Sequence, residues 1–303
     1  EMRASDVHLK SNKDPLYRVN GDLVPSGFPV LSFDELKPML YGIMTEKQRK
    51  TFEEELEMDL AYPLRDVARF RVNIFRQRDL IGSAMRLIPQ KIPTVAELGL
   101  PDILNKVSER PRGLILVTGP TGSGKSTTIA AMMHHVNNTR RCHVITIEDP
   151  IEFLHADINC TIDQREVGRD THSFNAALKR VLRQDPDVIL IGEMRDLETV
   201  STALTAAETG HLVFATLHTN SAGQTVDRIV DIFPSGSQNQ VRSQLALSLE
   251  AVMCQTLCPR SDGAGRGAAL EIMLATAAIR NQIRENQIAQ IPSTILTSRE
   301  QGM

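Results

Sequence analysis

Two hydrophobic textures divide the chain. Over the first 90 residues apolar positions recur in short alternating runs, as in Leu16 to Asn20 (LYRVN) and Ala68 to Phe75 (ARFRVNIF), which predicts strands with one buried face. Between them Phe33 to Tyr41 and Thr45 to Leu56 follow helical spacing, the second opening on the cap-like pair Thr45-Glu46. From Leu114 onward the apolar runs become continuous, at Leu114 to Thr118, His143 to Glu148, Val188 to Ile191 and Leu212 to Leu217. They alternate with helical patterns at Ser126 to Asn137, Ser173 to Leu182, Leu197 to Glu208 and Ala222 to Val230. Strands without polar alternation belong in a parallel sheet covered on both faces, so a three-layer α/β domain is expected. After about Gln238 the pattern turns helical, and helices are predicted at Val241 to Leu257 and Thr276 to Glu285.

The change of texture falls at Ile88 to Leu100 (IPQKIPTVAELGL), which carries two prolines and a short predicted helix before Pro101. The expected organisation is a small α+β domain over 1–90, a linker over 91–100, and an α/β domain over 101–303 with a helical C-terminal part. At 303 residues the chain can bury two cores, and 41% hydrophobic with 23% charged residues suits a globular protein. With 34 basic and 37 acidic residues the net charge is -3, so no global basic field calls for nucleic acid. No apolar run reaches membrane-span length and the opening EMRASDVHLK lacks a signal-peptide core, which makes a cytoplasmic location the expectation. No closing element is recognised over Thr297 to Met303, where a shortened or disordered terminus is expected.

The chemistry begins at Gly119 to Thr127 (GPTGSGKST), between an apolar strand and a helix. Gly119, Gly122 and Gly124 permit backbone conformations that turn successive N–H groups around a phosphate, with Pro120, Thr121, Ser123 and Thr127 completing the loop. Lys125 supplies positive charge to the β- and γ-phosphates, the Ser126 hydroxyl is placed to ligate Mg²⁺, and the helix N-terminus faces the anion. ATP with Mg²⁺ is therefore the expected ligand. Hydrolysis also needs acids and positive charge. Glu148, Asp149 and Glu152 crowd the end of one strand, and Glu193 follows the apolar run of DPDVILIGEMRD, with Gly192 where many such enzymes carry aspartate. His211 and His218 bracket another buried strand, beside Thr216 and Thr219, and a histidine facing phosphate can report its loss. Arg69, Arg71, Arg76 and Arg78 cluster on what reads as the last strand of the first domain, and Arg71 and Arg76 are taken as candidate arginine fingers, a solvated basic strand being the alternative. Cys254 and Cys258, four apart on a predicted helix, offer at most two metal ligands, so Cys142, Cys160, Cys254 and Cys258 are expected as buried free thiols.

Seven segments together are far more specific than the loop alone: ASDVHL (Ala4 to Leu9), GPTGSGKST, TIEDPIEF, QREVGRDT (Gln164 to Thr171), GEMRDLET (Gly192 to Thr199), TAAETGHLVFATLHT ending at Thr219, and AIRNQIRE (Ala278 to Glu285). The chain resembles the secretion-type ATPases, and among them the branch that retracts type IV pili. That resemblance implies a PAS-like first domain and a RecA-like second domain, assembled as a homo-hexameric ring with nucleotide between the two domains. It makes Lys125 and Ser126 the Walker A residues, Glu193 the Walker B acid and metal ligand, Glu152 the water-polarising acid of an aspartate box, and His211 and His218 a histidine box; the reverse assignment of the two glutamates stays open. It further implies closure about a joint near Ile88 to Pro93, force passed to a membrane platform protein at the inner face of the membrane, a paralogous retraction ATPase as partner, and no nucleic acid. Met194 and AIRNQIRE favour the retraction branch over the assembly and secretion branches, which carry a four-cysteine metal module and a longer N-terminal region. One departure is Gln282, where that branch usually has leucine.

Overall fold

The computed structural model describes residues 4–19, 21–64, 68–88, 91–261 and 265–303. The chain divides into two units, Glu1–Lys91 and Ile92–Met303. Pro89 and Gln90, within the expected joint, lie outside the described residues.

The first unit runs β1 (Asp6–Lys10), β2 (Leu16–Val19), β3 (Asp22–Pro25), α1 (Phe33–Gly42), α2 (Glu46–Glu55), β4 (Glu57–Leu64), β5 (Ala68–Gln77) and β6 (Leu80–Ile88). Its six strands pair antiparallel in the order β3-β2-β1-β6-β5-β4. Both helices open on reciprocal capping boxes, Ser32 with Glu35 and Thr45 with Gln48, which satisfy first-turn N–H groups. Leu36, Leu40 and Phe52 from the helices pack on Leu60, Val72, Ile74 and Ile81 of the sheet. Alternate side chains of β5 point the other way, which is why its sequence alternates.

The second unit continues with α3 (Ile103–Ser108), β7 (Gly113–Thr118), α4 (Lys125–Thr139), β8 (His143–Glu148), β9 (Thr161–Glu166), α5 (Phe174–Val181), β10 (Val188–Ile191), α6 (Leu197–Glu208), β11 (Leu212–Leu217), α7 (Ala222–Asp231), α8 (Gln238–Ser248), β12 (Leu249–Pro259), β13 (Arg266–Leu274), α9 (Ala277–Arg284) and α10 (Ile291–Thr297). The sheet order is β13-β12-β7-β11-β10-β8-β9, parallel except for β13. Leu114 and Leu116 of β7 face a core shared with α5 to α10, whereas Ile115 and Val117 face one shared with α3 and α4. Both faces are covered, so every residue of β7, β10 and β11 is buried and the hydrophobic run is unbroken.

Three sequence expectations fail here. The helix expected over Val241 to Leu257 ends at Ser248, and from Leu249 the chain becomes β12, paired parallel to β7 and antiparallel to β13. An unbroken apolar run suits a buried helix or a buried strand equally, and the open edge of β7 decides for the strand. The short helix expected before Pro101 is only a turn: Thr94 and Glu97 exchange capping bonds, but Gly99 adopts φ +67° and ends it. The last residues, expected to lack an element, form a 3₁₀ turn at Arg299–Gln301, and Met303 packs on the second unit's core.

Candidate active site

The C-terminal ends of β7, β11, β10 and β8 lie side by side, the edge at which parallel α/β sheets receive ligands. Each end delivers one of the motifs. β7 leads into the phosphate loop, and α4 starts at Lys125 behind Gly124, whose φ of +87° turns the chain. No side chain caps this 15-residue helix, so its first N–H groups are left for an anion. A Cβ at Gly122 would meet no heavy atom within 4 Å among the described residues, and the buried Ser123 Oγ has no hydrogen-bond partner among them. Lys125 is buried, and its Nζ donates to its own loop at Gly119 O (2.8 Å) and Pro120 O (3.0 Å). Burial pushes the Lys125 pKa down, opposed by the charges of Glu193 and Glu152, which places both acids within electrostatic reach of the ammonium. An open cradle, an unpartnered hydroxyl and a lysine held only by loop carbonyls fit a polyphosphate.

β8 delivers the acids, and β9 shapes them. Gln164 of β9 donates to Glu148 Oε1 (3.1 Å) and Phe153 O (2.9 Å) and accepts from His155 N (2.8 Å), while Glu166 accepts from Ile151 N (3.1 Å). The segment is pinned at both ends, leaving Glu152 exposed. Glu148 is turned inward, accepting from Thr146 Oγ1 at 2.6 Å, and burial raises its pKa against these bonds. Of the acids here, Glu148 is anchored inward by these bonds, whereas Glu152 is exposed.

β10 is followed by Gly192, where a Cβ would approach Ile147 O to 3.1 Å and Glu148 Cα to 3.2 Å. An aspartate there would press into β8, which explains the glycine. Glu193 Oε2 accepts from Arg195 at 2.6 Å and Oε1 lies 3.2 Å from His218 Nε2. Burial pushes the Glu193 pKa up, but Arg195 and His218 outweigh it and hold the carboxyl below its ordinary value. Glu193, Arg195, His218 and Arg228 line an open cleft of about 270 Å³. Thr216 on β11 donates to Gly192 O and accepts from Met194 N, clamping the Glu193 segment to the sheet.

Three sequence expectations need correction. His211 lies at the opposite end of β11, seven residues and about 23 Å from His218 by strand rise, with its ring Nδ1 on Ala206 O at 3.0 Å. It closes the end of α6 and is not part of this cluster. Arg71 and Arg76 are both exposed but point to opposite faces of β5: Arg76 lies 6.0 Å from the Phe52 ring centre, and Arg78 is in the turn that follows. β5 is also not the last strand of its sheet. Cys254 and Cys258 sit on β12 rather than a helix, about 13 Å apart along it, Cys258 is exposed, and no group of three or more His, Cys, Asp or Glu among the described residues could hold a metal ion. Arg195 was missed as a site residue, although its position two after Glu193 in an extended segment puts both side chains on one side.

The chain matches the family model described as type II/IV secretion system protein over residues 2–294. It is 54% identical over 300 residues to the type IV pilus retraction ATPase PilT of Pseudomonas aeruginosa, covering 99% of this chain and 87% of that protein. It is 51% identical to a twitching motility protein of Neisseria gonorrhoeae, covering 95% of this chain and 77% of that one. Among solved structures, that of the pilus retraction motor PilT with bound ADP superposes with a TM-score of 0.94 at 49% identity, covering 98% of this chain and 86% of that chain.

Proposed function

The chain belongs to the type II/IV secretion system protein family, and from that premise we propose that it is the ATP-hydrolysing motor of type IV pilus retraction and hence of twitching motility. The observation that carries this reading is the convergence of Lys125, Glu152 and Glu193 at one sheet edge beside an open phosphate loop. The ADP-bound relative supports nucleotide as the ligand.

In this reading Lys125 leaves its loop carbonyls for the β- and γ-phosphates, and the N–H groups of the loop and of α4 hold the same anion. The Ser126 hydroxyl and Glu193 would hold Mg²⁺, which would neutralise charge that develops on the phosphates. Glu152, exposed and pinned by β9, orients the attacking water and takes its proton. His218 couples the state of Glu193 to the end of β11. A neighbouring subunit in a homo-hexameric ring supplies positive charge; Arg71 and Arg76 are both exposed, and Arg71 suits this better because Arg76 lies over the Phe52 ring. The motor acts at the inner face of the membrane on a platform protein, alongside a paralogous retraction ATPase. Among the described residues no helix is long and apolar enough to cross a membrane itself.

Phosphate release from ATP and Mg²⁺ by the full chain tests the enzymatic part, and no release at any ATP concentration would refute it. A strain lacking the protein should keep surface pili and lose twitching. Loss of the pili themselves would point to assembly instead.

A further inference from the structure

The phosphate loop touches a residue that none of the motifs contains. The register pairs Cys254 with Thr118, which brings Gln255 of β12 level with the first residue of the loop. Gln255 is 2% exposed, and its amide is used at both ends. Nε2 donates to Ser123 O at 2.6 Å, and Oε1 accepts from Thr128 Oγ1 at 2.7 Å. One side chain thus grips the loop before its turn and the first turn of α4 after it.

The glycines sort by the same neighbour. A Cβ at Gly119 would collide with the Gln255 carbonyl oxygen, and one at Gly124 would lie 2.8 Å from Gln255 Nε2. Both adopt positive φ, +139° and +87°, as does Gly122 at +76°. Gly122 meets nothing and faces the open cradle. All three glycines are thus favoured by backbone conformation, and two of them also by β12 pressing from behind, while Gly122 leaves its side open.

We propose that Gln255 is the positioning residue of the phosphate loop, holding it in the shape that receives nucleotide while Lys125 is free to switch partners; this depends on the loop binding nucleotide as proposed above. A carboxylate in its place accepts from Thr128 but cannot donate to Ser123 O, and a leucine does neither. Loss of a buried bond of this kind leaves the Ser123 carbonyl unpaired next to the ligand.

The test measures binding of a fluorescent ADP analogue to the full chain. Gln255→Leu is expected to weaken binding about tenfold or more, while the melting temperature without nucleotide stays within a few degrees of the unaltered protein. Gln255→Glu is expected to bind weakly at pH 8 and to recover toward the unaltered affinity near pH 5.5, where a protonated carboxyl donates to Ser123 O again; the unaltered protein should change far less between these values. Thr128→Val removes one partner and should cost less than Gln255→Leu. Unaltered affinity in Gln255→Leu, or a Gln255→Glu protein without pH recovery, would overturn the assignment, and so would affinity that falls only in step with stability. If Gln255→Leu does not fold, the recovery of Gln255→Glu decides. Lys125→Ala separates the two ideas: unaltered affinity there sinks the nucleotide reading of the loop, whatever Gln255 does.

Discussion

The two edges of the parallel sheet are made by the same strands and differ in what they do with polar groups. At the N-terminal edge each group ends on protein. The His143 ring pairs with Asp163 and Asp185 O at 3.0 Å each, His143 N donates to Asp187, and His211 closes on Ala206 O. Cys142 and Cys160 sit 3.4 Å apart there, and burial and that neighbour push the Cys142 thiol up to about 12, so it stays protonated and unreactive. At the C-terminal edge the groups are charged, partly open and held in poised positions: Lys125 on its own loop, Ser123 Oγ without a partner among the described residues, Glu193 between a guanidinium and an imidazole. The cause is chain direction. Helices begin after these strand ends, so unpaired N–H groups and loops gather on one side only. Which end of a strand a histidine occupies thus says more about its role than the histidine itself.

That contrast can be broken experimentally. Lys125→Ala should cost the most, about a hundredfold or more in nucleotide affinity by titration, because a charge-assisted contact is lost; a tenth of that would mean that the loop amides dominate. Glu193→Gln should lower turnover about a hundredfold or more while binding changes little. Equal turnover in that protein and in Glu152→Gln, both unchanged from the parent, would remove the acids from the reaction. Gly192→Asp, which restores the residue many Walker B strands carry, should destabilise by about 1–3 kcal/mol in denaturant melts, since the side chain meets β8.

Finer effects compare the edges directly. His218→Gln should reduce turnover several-fold, whereas His211→Gln should leave turnover within about twofold and cost about 0.5–1.5 kcal/mol of stability for its lost bond. The reverse ranking would invert the picture of the two edges. Acidity separates them again. The Glu193 pKa is depressed, so its pair with Arg195 persists at and below neutrality and weakens only as pH falls through that lowered value. The His143 pKa is raised, burial being outweighed by Asp163 and the Asp185 carbonyl, so its contribution is fully present below the ordinary value of 6.5 and fades as pH rises through the raised one. A small fall in melting temperature above neutrality that vanishes in Asp163→Asn would confirm the latter.

The same asymmetry explains what could be read from residues alone. Buried strands announced themselves, since β10 is wholly apolar and β8 and β11 are mostly so, and the phosphate loop carries its own spacing. The end of a strand at which a residue lies was also legible for Glu193 and His218, which follow their runs, and by the same rule His211, which precedes its run, should have been set aside. β12 was not legible because pairing, not periodicity, makes it a strand. Gln255 and the β9 residues Gln164 and Glu166 act through contacts with residues distant in sequence, which no spacing encodes. Facing was legible in principle for Arg71 and Arg76, since an odd separation on a strand puts two side chains on opposite sides.

The place of β12 beside β7 has a consequence for biosynthesis. Ser123 leaves the ribosome 132 residues ahead of Gln255, a delay on the order of 10 s at ordinary rates of synthesis. Through that interval the nascent chain carries a complete phosphate-loop sequence beside a β7 edge that has no β12 to pair with. If Gln255 shapes the loop as proposed, nucleotide does not serve as an early template for the domain, and the edge stays unpaired until β12 is made. A chain released before its last fifth would display the most diagnostic motif of the protein without the wall that gives it shape.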